Sequence, residues 1–223
     1  MIGAEFRDFL SELRDNNNKT WFEENKPRYQ EVVVTPLMEL VGTLEGPLAD
    51  LTPALRAEPK VNGSFRRIYR DVRFSKDKTP YNTHVHLVFW AGNHPNRSPG
   101  VHVAFHPDGF GFGAGHWALD NEQLDRMRQQ IMSDGGDAIS TAVDAVAPHG
   151  VVPTKAALAR VPRGFDKDAE GAEWLKHKGL VVRNELVPFT KELETLDGAT
   201  QLITGICKKM SPVNMYLMEH VWS

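Results

Sequence analysis

The chain has 223 residues, 41% hydrophobic and 25% charged, proportions that exclude collagenous, disordered and coiled-coil classes and suit one globular domain. A formal net charge of −3 argues against a protein that coats nucleic acid by bulk charge. The single cysteine, Cys207, leaves no internal disulfide and fits a reducing compartment. No apolar run reaches the ~18 residues of a spanning helix, and the opening MIGAEFRDFLSELRD lacks the features of a signal peptide. The expectation is a cytoplasmic protein with no membrane partner.

Phe6, Phe9, Leu10 and Leu13 recur at helical spacing, and Asn16–Asn18 ends that helix. Thr20 and Glu23 read as a capping box for a short turn carrying Trp21 and Phe22. A longer helix starts near Pro27 and carries Tyr29, Val33, Leu37, Leu40, Val41, Leu44 and Leu48, with a kink expected at Pro36 and an exit at Gly46–Pro47. The period then changes. Residues 65–74, 84–90, 101–106 and 110–117 read as strands, the last two joined by a two-residue Asp108–Gly109 turn. Asp120 and Gln123 cap a helix with Leu124, Met127 and Ile131 inward; Gly135–Gly136 ends it, and Asp137 caps the next, through Val146. A short helix near 172–178, a strand near Leu180–Arg183, and helices over 187–196 and 199–220, bent at Pro212, complete the chain. The fold class is therefore α+β in a single domain. An antiparallel sheet from residues 65–117, plus a strand near 180–183, is packed by N- and C-terminal helices.

Residues 66–78 concentrate six basic side chains against Asp71 and Asp77, a cationic island on an acidic chain. As a strand, Arg67, Tyr69, Asp71 and Arg73 share one face, and Ile68, Arg70, Val72 and Phe74 the other. Asp71 then sits between two arginines whose planar forks it can orient. Arg70 falls among apolar neighbours and needs either an internal partner or a bend toward a site. Three readings fit: a clamp for an anionic small molecule, a structural ion-pair network, or a single-stranded nucleic-acid surface using Tyr69, Phe74 and Tyr81 for stacking.

Arg67-x-x-Arg70-Asp71-x-Arg73-Phe74 followed by Asp77-Lys78-Thr79-Pro80-Tyr81 resembles the signature of the bacterial domain-of-unknown-function family 2461. Phe9-Leu10 with Asn16-Asn17 and Trp21-Phe22, Gly113-Ala114-Gly115-x-Trp117, and Pro162-x-Gly164-Phe165-Asp166 extend the likeness nearly end to end. The resemblance implies no particular reaction. The chain departs from the family pattern after Pro99-Gly100, where Val101-His102 replaces an aromatic pair; aromatics lining the family's pocket would imply a different ligand here.

His84, His86, His102 and His106 occupy alternate positions of two neighbouring strands, opposite Val85, Leu87, Phe89, Val101, Val103 and Phe105, and so project from the face away from the core. The Asp108–Gly109 turn would pair His106 with Gly111, Ala104 with Gly113 and His102 with Gly115, placing a glycine row beside the histidines, where a ligand or another backbone can approach. His116 falls on the opposite face. His84, His86 and His106 invite a metal reading, but the strands supply no carboxylate and no HxxxH or CxxC spacing, so no metal is assigned. Cys207 lies on a helical stripe with Ile203, Ile206 and Met210, a core position. No Walker, Rossmann or nucleophile-elbow pattern occurs, so neither a cofactor nor an oligomeric state is implied. The functional expectation is an anionic small molecule held by Arg67, Arg70 and Arg73, oriented by Asp71, with Lys78 and Tyr81 as further donors. Should chemistry follow, His86, His102 or Tyr81 carries the proton. The alternative is a non-catalytic protein whose arginines serve the fold or a partner.

Overall fold

The computed structural model describes residues 1–222. Helix α1 (Ala4–Asp15) buries Phe6, Phe9, Leu10 and Leu13. Helix α2 (Lys19–Tyr29) follows, capped by Asn18, whose side chain accepts from the Trp21 N–H; the cap is Asn18 rather than Thr20. A π-helical turn, Gln30–Val34, joins α2 without a break to α3 (Thr35–Ala49). This turn stands in place of a simple kink at Pro36. The Pro36 ring opposes the carbonyl four residues back, and a wider turn just before it relieves that clash. Pro47 lies within α3, which ends at Ala49, later than its Gly-Pro pair suggested.

The continuous run Lys19–Ala49 is long and apolar enough, by length and composition, to cross a membrane, which corrects the expectation that no such run exists. Its buried residues, Val33, Val34, Leu37, Leu40, Val41, Leu44 and Leu48, recur at threes and fours, while Thr35, Glu39 and Glu45 are exposed. That is the pattern of an amphipathic core helix.

Strands β1 (Val85–Trp90), β2 (Gly100–His106) and β3 (Gly109–His116) form an antiparallel meander. Helices α4 (Asn121–Asp134) and α5 (Asp137–Val146) follow, then β4 (Val152–Pro153), β5 (Leu180–Arg183), α6 (Leu196–Lys209) and α7 (Ser211–His220). The sheet order is β1-β2-β3-β5-β4, with every pairing antiparallel. Asp120 and Gln123 form the expected reciprocal cap. The N-cap of α5 is Gly136 rather than Asp137, and the Asp134 carboxylate accepts from the Gly136 and Ala138 N–H groups. Segments 172–178 and 187–196 hold only single 3-10 turns, Trp174–Lys176 and Lys191–Glu194, and the last helical run breaks at Met210 into α6 and α7.

Val85, Leu87, Phe89, Val101, Val103 and Phe105 are all buried under the helices, with Phe6 of α1 edge-on to Phe105 at 6.0 Å. Each such side chain contributes about 1.5–3 kcal/mol of burial, so this face fixes the register of the sheet. Cys207 is fully buried among them, and burial pushes its thiol pKa up.

Two further sequence expectations change. Residues 65–74 are not a continuous strand. The segment touches β1 through a Phe65–Leu87 bridge and an Arg66 N–H to His86 carbonyl bond of 2.9 Å, then meets its own return arm at Tyr69–Tyr81. Beyond Arg70, Asp71 and Asp77 accept from the nearby Arg73 and Thr79 N–H groups, offering the backbone local partners instead of a ladder. Phe74, expected on the inward face, is 96% exposed.

The hairpin register is also two residues from expectation: His106 pairs with Gly109, Ala104 with Gly111 and His102 with Gly113. The turn is Pro107–Asp108. Proline suits the second position of a type I turn and glycine the fourth, whereas an Asp108–Gly109 turn would force Pro107, which has no N–H, into the ladder. A shift of two preserves which face each residue occupies, so the glycines remain beside the histidines.

Gly113 and Gly115 are enforced by β5. A Cβ at Gly113 would collide with the Val182 carbonyl, and one at Gly115 (φ +122°) with that of Leu180. At Gly111 the nearest atoms to a Cβ would be Leu186 Cδ2 at 3.4 Å and Asn184 Oδ1 at 3.5 Å, ordinary contacts. Gly115→Ala should therefore lower unfolding free energy in urea by about 2–4 kcal/mol. Gly111→Ala should stay within about 1 kcal/mol of the parent. Equal losses at the two positions would contradict this account of the strand.

Candidate ligand-binding trough on the open sheet face

Directly opposed residues in a sheet share a face. His102 pairs with Gly113, and Gly113 with Arg183, so the imidazole and the guanidinium rise from the same side with a bare glycine between them. Their strands lie two spacings apart, roughly 9.6 Å. One row along, His86 pairs with Ala104 and Ala104 with Gly111. The result is a trough of about 660 Å³ with histidines on one wall, a glycine floor, and β5 with the residues after it on the other. That volume falls in the ~300–1,000 Å³ range of small-molecule sites.

The histidine wall is a paired structure. His102 Nδ1 lies 3.0 Å from His86 Nε2, and the two rings stack at 5.0 Å. His84 and His106 stack at 4.7 Å beside them. Burial pushes the His86 pKa down to about 3, helped by the positive charge that His102, His84, Arg66 or His106 would present. Burial likewise lowers His102 to about 4, with Arg66 and His116 adding to it. Both rings are therefore neutral near pH 7, each with one N–H donor and one acceptor.

The opposite wall holds unused donors. Arg183 is exposed, and its side chain makes no ion pair or hydrogen bond among the described residues. Asn184 accepts from the Phe112 N–H at 2.6 Å, which leaves its buried Nδ2 without a partner. Glu185 also lines the trough, and Trp117, 77% exposed, stands toward its far end.

A model of the DUF2461 family, conserved hypothetical proteins, matches residues 5–216. The chain belongs to that family. No curated protein and no solved structure matches it.

In this DUF2461 chain the arginine signature does not converge as a clamp. Arg70 Nη1 bonds Asp77 Oδ2 at 2.7 Å and the Thr79 carbonyl at 3.0 Å, and also meets the Thr79 hydroxyl. The Thr79 N–H and hydroxyl, with Arg70, hold the Asp77 pKa down to about 2. Asp71 bonds Arg73 through Nε at 3.0 Å and Nη2 at 2.6 Å, and these bonds, with the Arg67 charge, lower its pKa. Lys78 Nζ donates to the Val72 carbonyl at 2.9 Å. Arg67 is exposed and lines a separate hollow against α2. Tyr81 is buried and stacked on Phe22 at 4.1 Å, its backbone N–H and carbonyl bonded by the Asn17 side chain; it does not line the trough.

Among the described residues no three His, Cys, Asp or Glu side chains are placed to hold a metal ion. His84, His86 and His106 are divided between the two stacked pairs. His116 is buried on the other face, edge-on to Trp222 at 5.1 Å. Arg66, Arg183 and Asn184 are the residues that sequence reasoning missed. The Arg66 charge bears on both paired histidines, while its Nη2 donates to the Pro95 carbonyl at 2.9 Å.

An unfolded histidine protonates near pH 6.5, well above the folded values of about 3 and 4. As pH falls from 6.5, the unfolded chain takes up protons that the folded chain refuses, so stability present at neutral pH is lost toward pH 4. The urea midpoint should fall across that window. A His86→Gln/His102→Gln double variant should flatten the decline. Parallel curves for the two chains would contradict half-buried, neutral imidazoles.

Proposed function

We propose that this protein binds a small anionic molecule in the trough over Gly111 and Gly113, with its acid group on Arg183 and the neutral His86–His102 pair facing it. The observation that carries this reading is the register row His102–Gly113–Arg183. It sets a partnerless guanidinium across a side-chain-free floor from two desolvated imidazoles. Guanidinium groups hold carboxylate and phosphate oxygens by two parallel bonds, and the free Asn184 amide adds a donor that pairs with an oxygen. Glu185 on the same wall disfavours a second acid group there and limits how the ligand lies.

The reading keeps an anionic ligand and puts Arg183 in the place of the arginine signature. Arg70 and Arg73 already neutralise Asp77 and Asp71, which favours a structural role for that part of the signature. A bound anion raises the pKa of nearby imidazoles, so ligand entry would draw a proton onto the pair, with His102 or His86 as its carrier. Thermal shift against phosphate, sulfate and nucleoside monophosphates tests the reading. At least one should raise the melting temperature. Arg183→Met should weaken that ligand by about tenfold or more, and the heat of binding should reveal proton uptake by varying with the buffer. A ligand that stabilises the Arg183→Met chain equally well would contradict it.

A further inference from the structure

A second hollow, of about 190 Å³, lies between α2, the π-helical turn and residues 61–69 and shares no lining residue with the trough. Phe22, Tyr29, Phe65 and Tyr69 form its walls, with Arg67 and Lys26 at the rim. An apolar cavity of ~150 Å³ is known to accept benzene, so the space suits one six-membered ring. The walls are preset: Tyr69, 45% exposed, is held edge-on by Phe22 at 5.9 Å and by Tyr81 at 5.2 Å. Aromatic walls favour a ring in offset or edge contact.

The charges at the rim narrow the ligand further. Lys26 is paired with Glu23 at 3.4 Å. Arg67, unlike Arg70 and Arg73 of the same segment, makes no ion pair or hydrogen bond among the described residues. A guanidinium with a free fork, its charge already acting on Asp71 and with Glu23 close by on Lys26, suits a monoanion better than a doubly charged phosphate. We propose that this hollow binds a small aromatic monocarboxylate, with its ring among Phe22, Tyr29, Phe65 and Tyr69 and its carboxylate on Arg67. The site gives the arginine signature a ligand-facing member even though its other arginines are internally paired.

Titration with phenylacetate, followed by NMR, tests the site on the intact chain. The ligand should shift resonances of Phe22, Phe65, Tyr69 and the Arg67 Nε–H, and Arg67→Met should weaken it by about tenfold. Benzyl alcohol, which keeps the ring and lacks the charge, should bind more weakly and be indifferent to Arg67→Met. Arg183→Met should leave phenylacetate binding unchanged, which separates this site from the trough. Arg67 is exposed, so its replacement should leave the melting temperature near the parent value. No shift at millimolar phenylacetate would overturn the proposal. So would undiminished binding to the Arg67→Met chain, or shifts confined to Trp117 and the trough.

Discussion

Every residue that β3 turns toward the open face is glycine: Gly109, Gly111, Gly113 and Gly115. The other face of the same strand carries Phe110 and Ala114 in the core. This asymmetry lets the backbone of β5 lie against Gly113 and Gly115, where any Cβ would strike a carbonyl. The same absence of side chains keeps the face above hollow. Close strand approach and an open floor thus have one origin, and the position of Arg183 follows from it.

The histidines acquire their character from that geometry. His86 and His102 are half-buried with no carboxylate partner, and Arg66 adds positive charge nearby. Desolvation and like charge act in the same direction on an imidazole. The pair stays neutral, bonded ring to ring, and an anion entering opposite it would change that balance most directly. In the basic segment, Asp77 and Asp71 lie within its own loops and bond Arg70 and Arg73.

The parts legible in the sequence are those encoded by short-range periodicity. Alternation places the four histidines and the glycines on one face, and parity is indifferent to the two-residue shift of the turn. At that turn two local signals compete, Asp108–Gly109 and Pro107. Helix starts carry the same ambiguity: Asn18 and Asp134, two and three residues before Thr20 and Asp137, accept from the first N–H groups of α2 and α5. The pairing of β3 with β5 joins Gly113 to Arg183 across most of a hundred residues, and no local pattern announces it. Arg183 therefore read only as the end of a strand. The cluster of arginines at 66–78 drew attention by density, which cannot distinguish a guanidinium with a free fork from one already paired.

The most direct measurement of the central claim is a crystal structure of the chain grown in high phosphate. The account predicts tetrahedral density above Gly113, within hydrogen-bond reach of Arg183. An empty or side-chain-filled trough, with phosphate instead bridging Arg70 and Arg73, would contradict it.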